Sequence, residues 1–155
     1  MMFKPFKILL GASLLTLFIL SACAKESPAP TDPNTPVTPV VTGSFNWSIN
    51  GGTSVSADNF FFIESFNNIV GTKNSGSISV DISLDTLSVG SHTISPSSGI
   101  TLDYSNGTSV AAAKSGIVTI SSKTSAYLSG TYSAAFNSGT VTSISGSFSN
   151  LPSKK

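Results

Sequence analysis

The sequence predicts an all-β domain: an antiparallel β-sandwich of roughly eight to ten short strands, with a closed β-barrel as the alternative. Two observations predict it. Apolar residues alternate with serine, threonine and other polar residues in several runs between residues 43 and 152, and clusters such as Asn50-Gly51-Gly52 and Asn74-Ser75-Gly76 separate those runs. A period of two marks a strand with one dry and one wet face, whereas an amphipathic helix would need a period near 3.6. No sustained helical period occurs, and only "SVAAAKSG" offers a brief helical turn. The sandwich is favoured because serine-rich outer faces require no ligand cavity inside.

Residues 1–22 precede that domain and have a different composition. Lys4 and Lys7 form a basic start, and Ile8 to Ala22 carry no charge. That run of about 15 residues would be roughly 22 Å long as a helix. It is too short to span a hydrocarbon core of roughly 30 Å, and it suits the apolar core of a signal peptide. It ends in Leu20-Ser21-Ala22-Cys23, with Cys23 the only cysteine of the chain. This stretch resembles the lipobox of bacterial lipoproteins. The resemblance implies that the Cys23 thiol is diacylglyceryl-modified, that cleavage falls between Ala22 and Cys23, and that the new N-terminus is acylated. A single cysteine can make no internal disulfide and supplies too few ligands for a zinc site. Several acyl chains on one residue give lasting membrane attachment, where one chain gives only marginal binding.

Residues 23–42 read as an acylated cysteine followed by a linker. Pro28, Pro30, Pro33, Pro36 and Pro39 are five of the chain's 8 prolines. Proline at this density removes backbone donors and favours extended polyproline II. At about 3.1 Å per residue the segment reaches on the order of 60 Å when fully extended, a stalk that would hold the domain clear of a membrane. Ala24 is not the aspartate that retains many Gram-negative lipoproteins in the inner membrane. Lys25-Glu26 resembles part of the lysine-plus-acid export tag of surface lipoproteins in the Bacteroidota. The expected location is therefore the outer membrane, lipid-anchored, on either its periplasmic or its cell-surface face.

Residues 43–152 suit one domain of ordinary size, with residues 153–155 as a C-terminal tail. "SFNWSIN" places Phe45, Trp47 and Ile49 on one face, and "GSISVDISLD" does the same with Ile78, Val80, Ile82 and Leu84. "SGIVTIS" contributes Val118 and Ile120, and "AYLSGTYSAAF" contributes Leu128, Tyr132, Ala134 and Phe136. The expected core is Phe45, Trp47, Ile78, Val80, Ile82, Val118, Ile120, Tyr132 and Phe148. "LSGTYS" and "ISGSFS" echo each other across the Asn137-Ser138-Gly139 turn. In a strand each glycine shares a face with the apolar residues two positions away, so Gly130 and Gly146 leave gaps that aromatic rings can fill.

These stretches carry a family resemblance. "WSINGGTSVSA", "GIVTIS", "LSGTYSAAF" and "ISGSFSNLP" resemble small Bacteroidota cell-envelope lipoproteins of a domain-of-unknown-function family. The resemblance covers most of residues 43–152 and rests on core and turn residues. It implies an all-β extracytoplasmic lipoprotein and carries no catalytic position.

The chemistry-bearing residues are few. His92 is the only histidine, and "GSHTIS" contains no glycine-x-serine-x-glycine elbow, so an exposed or edge-strand role is expected. Asp81 and Asp85 would lie roughly 13 Å apart along a strand, beyond the about 5–9.5 Å of paired glycosidase carboxylates. The same stretch imitates the start of a calcium loop, but Thr86 stands where glycine is needed and His92 where glutamate is needed. The chain has no arginine and a formal net charge of +1, which disfavours nucleic acid as a partner. Neither a Walker loop nor a dinucleotide fingerprint is present. No catalytic residue, cofactor or metal is expected. The expected function is a non-catalytic structural or protein-interaction module whose partners are the membrane, through its anchor, and an envelope protein or glycan. The alternatives are a carbohydrate-binding module, with Trp47, Tyr104, Tyr127 or Tyr132 stacking on sugar rings, and a barrel holding an apolar ligand. Finally, Asp85-Thr86-Leu87 resembles the Asp-hydroxyl-apolar signal for O-glycosylation in the Bacteroidota, which implies a glycan on Thr86.

Overall fold

A computed structural model describes residues 41–155 apart from Ser138. The expected signal peptide at residues 1–22, Cys23 and all but the last two residues of the proline-rich segment lie outside the described residues. Ten strands follow one another: β1 (Ser44–Ile49), β2 (Val55–Ser56), β3 (Asn59–Ile63), β4 (Asn68–Lys73), β5 (Ile78–Ser83), β6 (Gly90–Ile94), β7 (Thr101–Ser105), β8 (Val110–Lys123), β9 (Tyr127–Phe136) and β10 (Ser143–Lys154).

Two long strands organise the rest. β8 pairs with β9 along one side; along the other it pairs first with β7, from Val110 to Ala112, and then with β6, from Gly116 to Ile120. β10 likewise pairs with β9 on one side, and with β1 and then β3 on the other. Each long strand therefore belongs to two sheets, and the ring β10-β3-β4-β5-β7-β8-β9 closes on itself with 7 strands. The all-β class and the strand number are those the sequence predicts, and the closed ring is its barrel alternative. β1 with β2, and β6, pair outside the ring along the remaining lengths of β10 and β8.

Closure depends on residues that sequence reading assigned elsewhere. "SVAAAKSG" makes no helical turn: from Val110 onward it is the first half of β8. Likewise β10 runs through Pro152 into residues expected to be a tail. Ser153 and Lys154 pair with Phe62 and Ile63 in the one parallel contact among the described residues, against an expectation of purely antiparallel pairing. Bulges let the strands turn from one sheet to the next. β8 shifts register between Ala113 and Ser115 and again between Ile120 and Ser122, and β10 shifts between Phe148 and Leu151. In the β10 bulge Asn150 takes a left-handed φ of 48°, and its N–H donates to Ser129 Oγ at 2.9 Å.

The expected core forms. Phe45, Trp47, Val80, Ile82, Val118, Ile120, Tyr132 and Phe148 are buried, while Ile78, at the first position of β5, is half-buried. Phe45, Trp47, Tyr132 and Phe148 make one aromatic cluster, with ring centroids 5.6–6.4 Å apart. Burying four rings together contributes both apolar area and about 0.5–1.5 kcal/mol per favourable ring pair. The Tyr132 hydroxyl donates to the Asn46 carbonyl at 3.1 Å, which satisfies its polar end, and burial raises its pKa. Turn chemistry also follows the sequence. Asn50 and Gly51 have φ of 52° and 70°, and Asn74 and Ser75 have 53° and 55°, the paired positive values that tight hairpin turns require.

Candidate functional site

The residues singled out by sequence fall in separate places. Thr86 is exposed in the connection between β5 and β6, as a modifiable hydroxyl must be. The connection is well held. Leu84 and Leu87 are buried on either side, the Asn67 side-chain amide donates to the Asp85 carbonyl at 2.8 Å, and the Leu84 N–H donates to the Asn67 carbonyl at 3.0 Å. Asp85 Oδ1 accepts the Thr86 N–H at 2.8 Å and lies 3.2 Å from His92 Nδ1.

His92 sits on β6, which pairs only with β8, so the edge-strand expectation holds. Its side chain is nevertheless buried, at 8% exposure. Its Nε2–H donates to the Ser88 carbonyl at 2.9 Å, so the imidazole fastens the Thr86 connection to β6. No triad surrounds it among the described residues: the contacts of both ring nitrogens are with the connection itself.

Carboxylates form a pair that sequence spacing does not reveal. Asp81 faces Asp103 across β5 and β7, in register. Cβ atoms of directly opposed residues lie about 4.5–5.5 Å apart. Burial, and secondarily the Asp81 charge, raise the pKa of Asp103. Asp81 accepts a hydrogen bond from Asn68 Nδ2 at 2.7 Å. The pairing was hidden because β5 skips β6 to meet β7. The remaining acids in strands and loops tie segments together. Asp58 accepts the Asn74 N–H at 2.8 Å and a Lys73 hydrogen bond at 3.2 Å, which together hold its pKa below the ordinary value. Glu64 pairs with Lys123 at 2.7 Å.

Of the aromatic residues proposed to stack on sugars, Trp47, Tyr104 and Tyr132 are buried, and only Tyr127, at 37% exposure, reaches the surface. They make no flat platform. Tyr104 does, however, line a cavity of about 370 Å³ at one end of the ring, between the start of β8 and the β9–β10 connection. The cause is local. Tyr104 stands opposite Ala111, and Phe136 opposite Ala113, so methyl groups face two aromatic rings and leave space above them.

Both walls of the cavity are fixed by asparagines. In the β7–β8 turn, Asn106 Oδ1 accepts from the N–H groups of Thr108 and Ser109 at 3.1 and 2.9 Å, and from their hydroxyls at 2.9 and 3.2 Å. In the opposite wall, Asn50 reaches across from the β1–β2 turn. Its Nδ2 donates to the Thr140 carbonyl at 2.8 Å, and its Oδ1 accepts from the Thr142 N–H at 2.8 Å, the Thr142 hydroxyl at 2.9 Å and the Ser143 N–H at 3.0 Å. Sequence reading identified Asn50 as a turn former and missed this second task, whose partners lie 90 and more positions away.

Among the described residues no group of three or more His, Cys, Asp or Glu could hold a metal ion, and no helix is long and apolar enough to cross a membrane. No family model matches the chain, no curated protein matches its sequence, and no solved structure matches its fold.

Proposed function

We propose that this chain is a lipid-anchored binding module of the bacterial cell envelope, attached to the outer membrane through Cys23, carried clear of it by residues 23–42, and acting by contact instead of catalysis. The observation that carries the non-catalytic reading is how His92, Asp58 and Glu64 are employed. His92 fastens the β5–β6 connection to an edge strand, Asp58 ties Lys73 and the β4–β5 turn together, and Glu64 meets Lys123. Groups committed to such fastenings are poorly placed to exchange protons with a substrate. The resemblance of Leu20-Ser21-Ala22-Cys23 to a lipobox supports the anchor, and the resemblance of the domain to Bacteroidota envelope lipoproteins supports an extracytoplasmic location. The exposure of Thr86 supports the glycosylation reading.

The partner would be an envelope protein that meets the hydroxyl-rich outer faces of the strands. Photo-crosslinking groups at exposed Thr101 on β7 and Thr131 on β9 test this in cells that make the protein natively. One envelope protein captured repeatedly from either position supports the reading. Capture of nothing from both positions, in cells where the protein is correctly located, contradicts it.

A further inference from the structure

The cavity under Tyr104 and Phe136 has features of a built site. Its volume of about 370 Å³ lies within the range of small-molecule pockets, at the small end. Its lining is apolar at Tyr104, Ala111, Phe136 and Val141 and polar at Asn106, Asn137 and Thr140. Asp, Glu, Lys and His are all missing from its lining, so a charged ligand would leave water without a countercharge. Tyr104 is only 6% exposed, yet among the described residues its hydroxyl has no hydrogen-bond partner and is not sealed from solvent. That hydroxyl still meets water, and it can both donate to and accept from a ligand.

We infer that this cavity is a binding site for a neutral sugar, one or two pyranose units at a glycan terminus. A pyranose has C–H groups that suit the aliphatic lining of Val110, Ala111 and Val141, and hydroxyl edges that need partners able both to donate and to accept. Tyr104 and Thr140 hydroxyls do both. Asn106 supplies a donor, because its Oδ1 is consumed by Thr108 and Ser109 while its Nδ2 is left over. Thr140 needs no reordering on binding, because Asn50 already holds its carbonyl. This mode differs from stacking on a flat exposed platform, which the burial of Trp47, Tyr104 and Tyr132 rules out for those three rings. The inference rests on the reading of the domain as a binding module and is independent of the anchor.

The test is an amide NMR titration of the full chain in detergent micelles. The probes are the methyl glycosides of glucose, galactose, mannose and N-acetylglucosamine, with glucuronate as a charged comparison. At least one neutral glycoside should shift the amides of Asn106, Ala111 and Thr140 in a saturable way. Tyr104→Phe should weaken that binding about fivefold, the loss of one hydrogen bond. Asn106→Asp keeps every acceptor contact within the turn and replaces only the Nδ2 donor, so it should weaken binding with the rest of the spectrum unchanged. Ala111→Leu should abolish binding by filling the cavity. Failure of all four glycosides to shift these amides overturns the assignment. So does tighter binding of glucuronate, or wild-type affinity in both Tyr104→Phe and Asn106→Asp. Each of those results leaves the anchored-module reading standing, since that is decided separately by the chemistry of Cys23.

Discussion

Phe148 on β10 stands directly opposite Gly130 on β9, and a Cβ at 130 would meet both the Thr119 carbonyl oxygen and the Phe148 ring, the latter at 2.6 Å. At Gly146 a Cβ would meet the Asn46 carbonyl oxygen and the Tyr132 phenol, whose ring carbon would lie at 2.6 Å, and Phe45 covers Gly71. The echo of "LSGTYS" and "ISGSFS" is thus a packing device that lets large rings lie flat across neighbouring strands. It is the aromatic rescue of strand glycine.

Gly130→Ala should therefore destabilise the domain by about 1–3 kcal/mol through overpacking, despite the usual advantage of alanine over glycine in a strand. Chemical denaturation measures it. Phe148→Leu in the same chain should recover part of the loss, and strict additivity of the two changes would contradict the contact.

Val80→Asp places a charge at a position with 0% exposure in the centre of β5. With no partner in the core, the cost should be several kcal/mol, enough to leave little folded protein. A circular dichroism melt of the variant that matched wild type would refute the inward orientation of β5.

Asn50→Gly keeps the left-handed backbone of the turn and deletes the amide that grips Thr140, Thr142 and Ser143. The expected loss is about 1–3 kcal/mol. Hydrogen exchange should quicken at Thr142 and Ser143, whose N–H groups lose their acceptor. Unchanged protection there would show that the loop holds itself.

Much of this was legible because it is local. Alternation identified the inward faces of β1, β5, β8 and β9, and Asn-Gly chemistry identified the hairpins, since both signals lie within a few residues. Ring closure was not legible. It depends on β10 running two residues past Pro152 to meet β3, and on Val110 to Ala113 forming strand where small residues suggested a helical turn. The cavity was illegible for the same reason. Tyr104 and Asn106 lie near each other in sequence, but Phe136 and Thr140 reach them only through the fold. His92 looked unremarkable in sequence because its fastening role needs Asp85 and Ser88 brought around a turn.

The Asp81–Asp103 pair gives a pH prediction. Two carboxylates directly opposed across strands repel, at about 0.2–1 kcal/mol. The raised pKa of Asp103 means that the folded state holds its proton more tightly than the unfolded state. The penalty is fully present above the folded pKa and vanishes below the ordinary value of 3.8. Asp103→Asn should therefore stabilise the protein at pH 7 and give no advantage at pH 3. Urea midpoints at the two pH values check this, and an equal gain at both would contradict it.

Thr86 should carry a glycan in native protein, because its exposed connection presents the Asp85-Thr86-Leu87 signal to a transferase. Intact mass should exceed that of the acylated chain, and Thr86→Ala should remove the excess. A native mass equal to the bare acylated chain, or a glycan that survives Thr86→Ala, refutes the assignment.

The anchor is the central claim, and mass spectrometry of the native protein from the membrane fraction tests it most directly. The predicted result is a chain that begins at residue 23, with a diacylglyceryl thioether on Cys23 and an acylated amine, and a Cys23→Ala variant that no longer partitions into the membrane. A mature chain with an unmodified Cys23 thiol, or a Cys23→Ala variant that stays in the membrane, would contradict it.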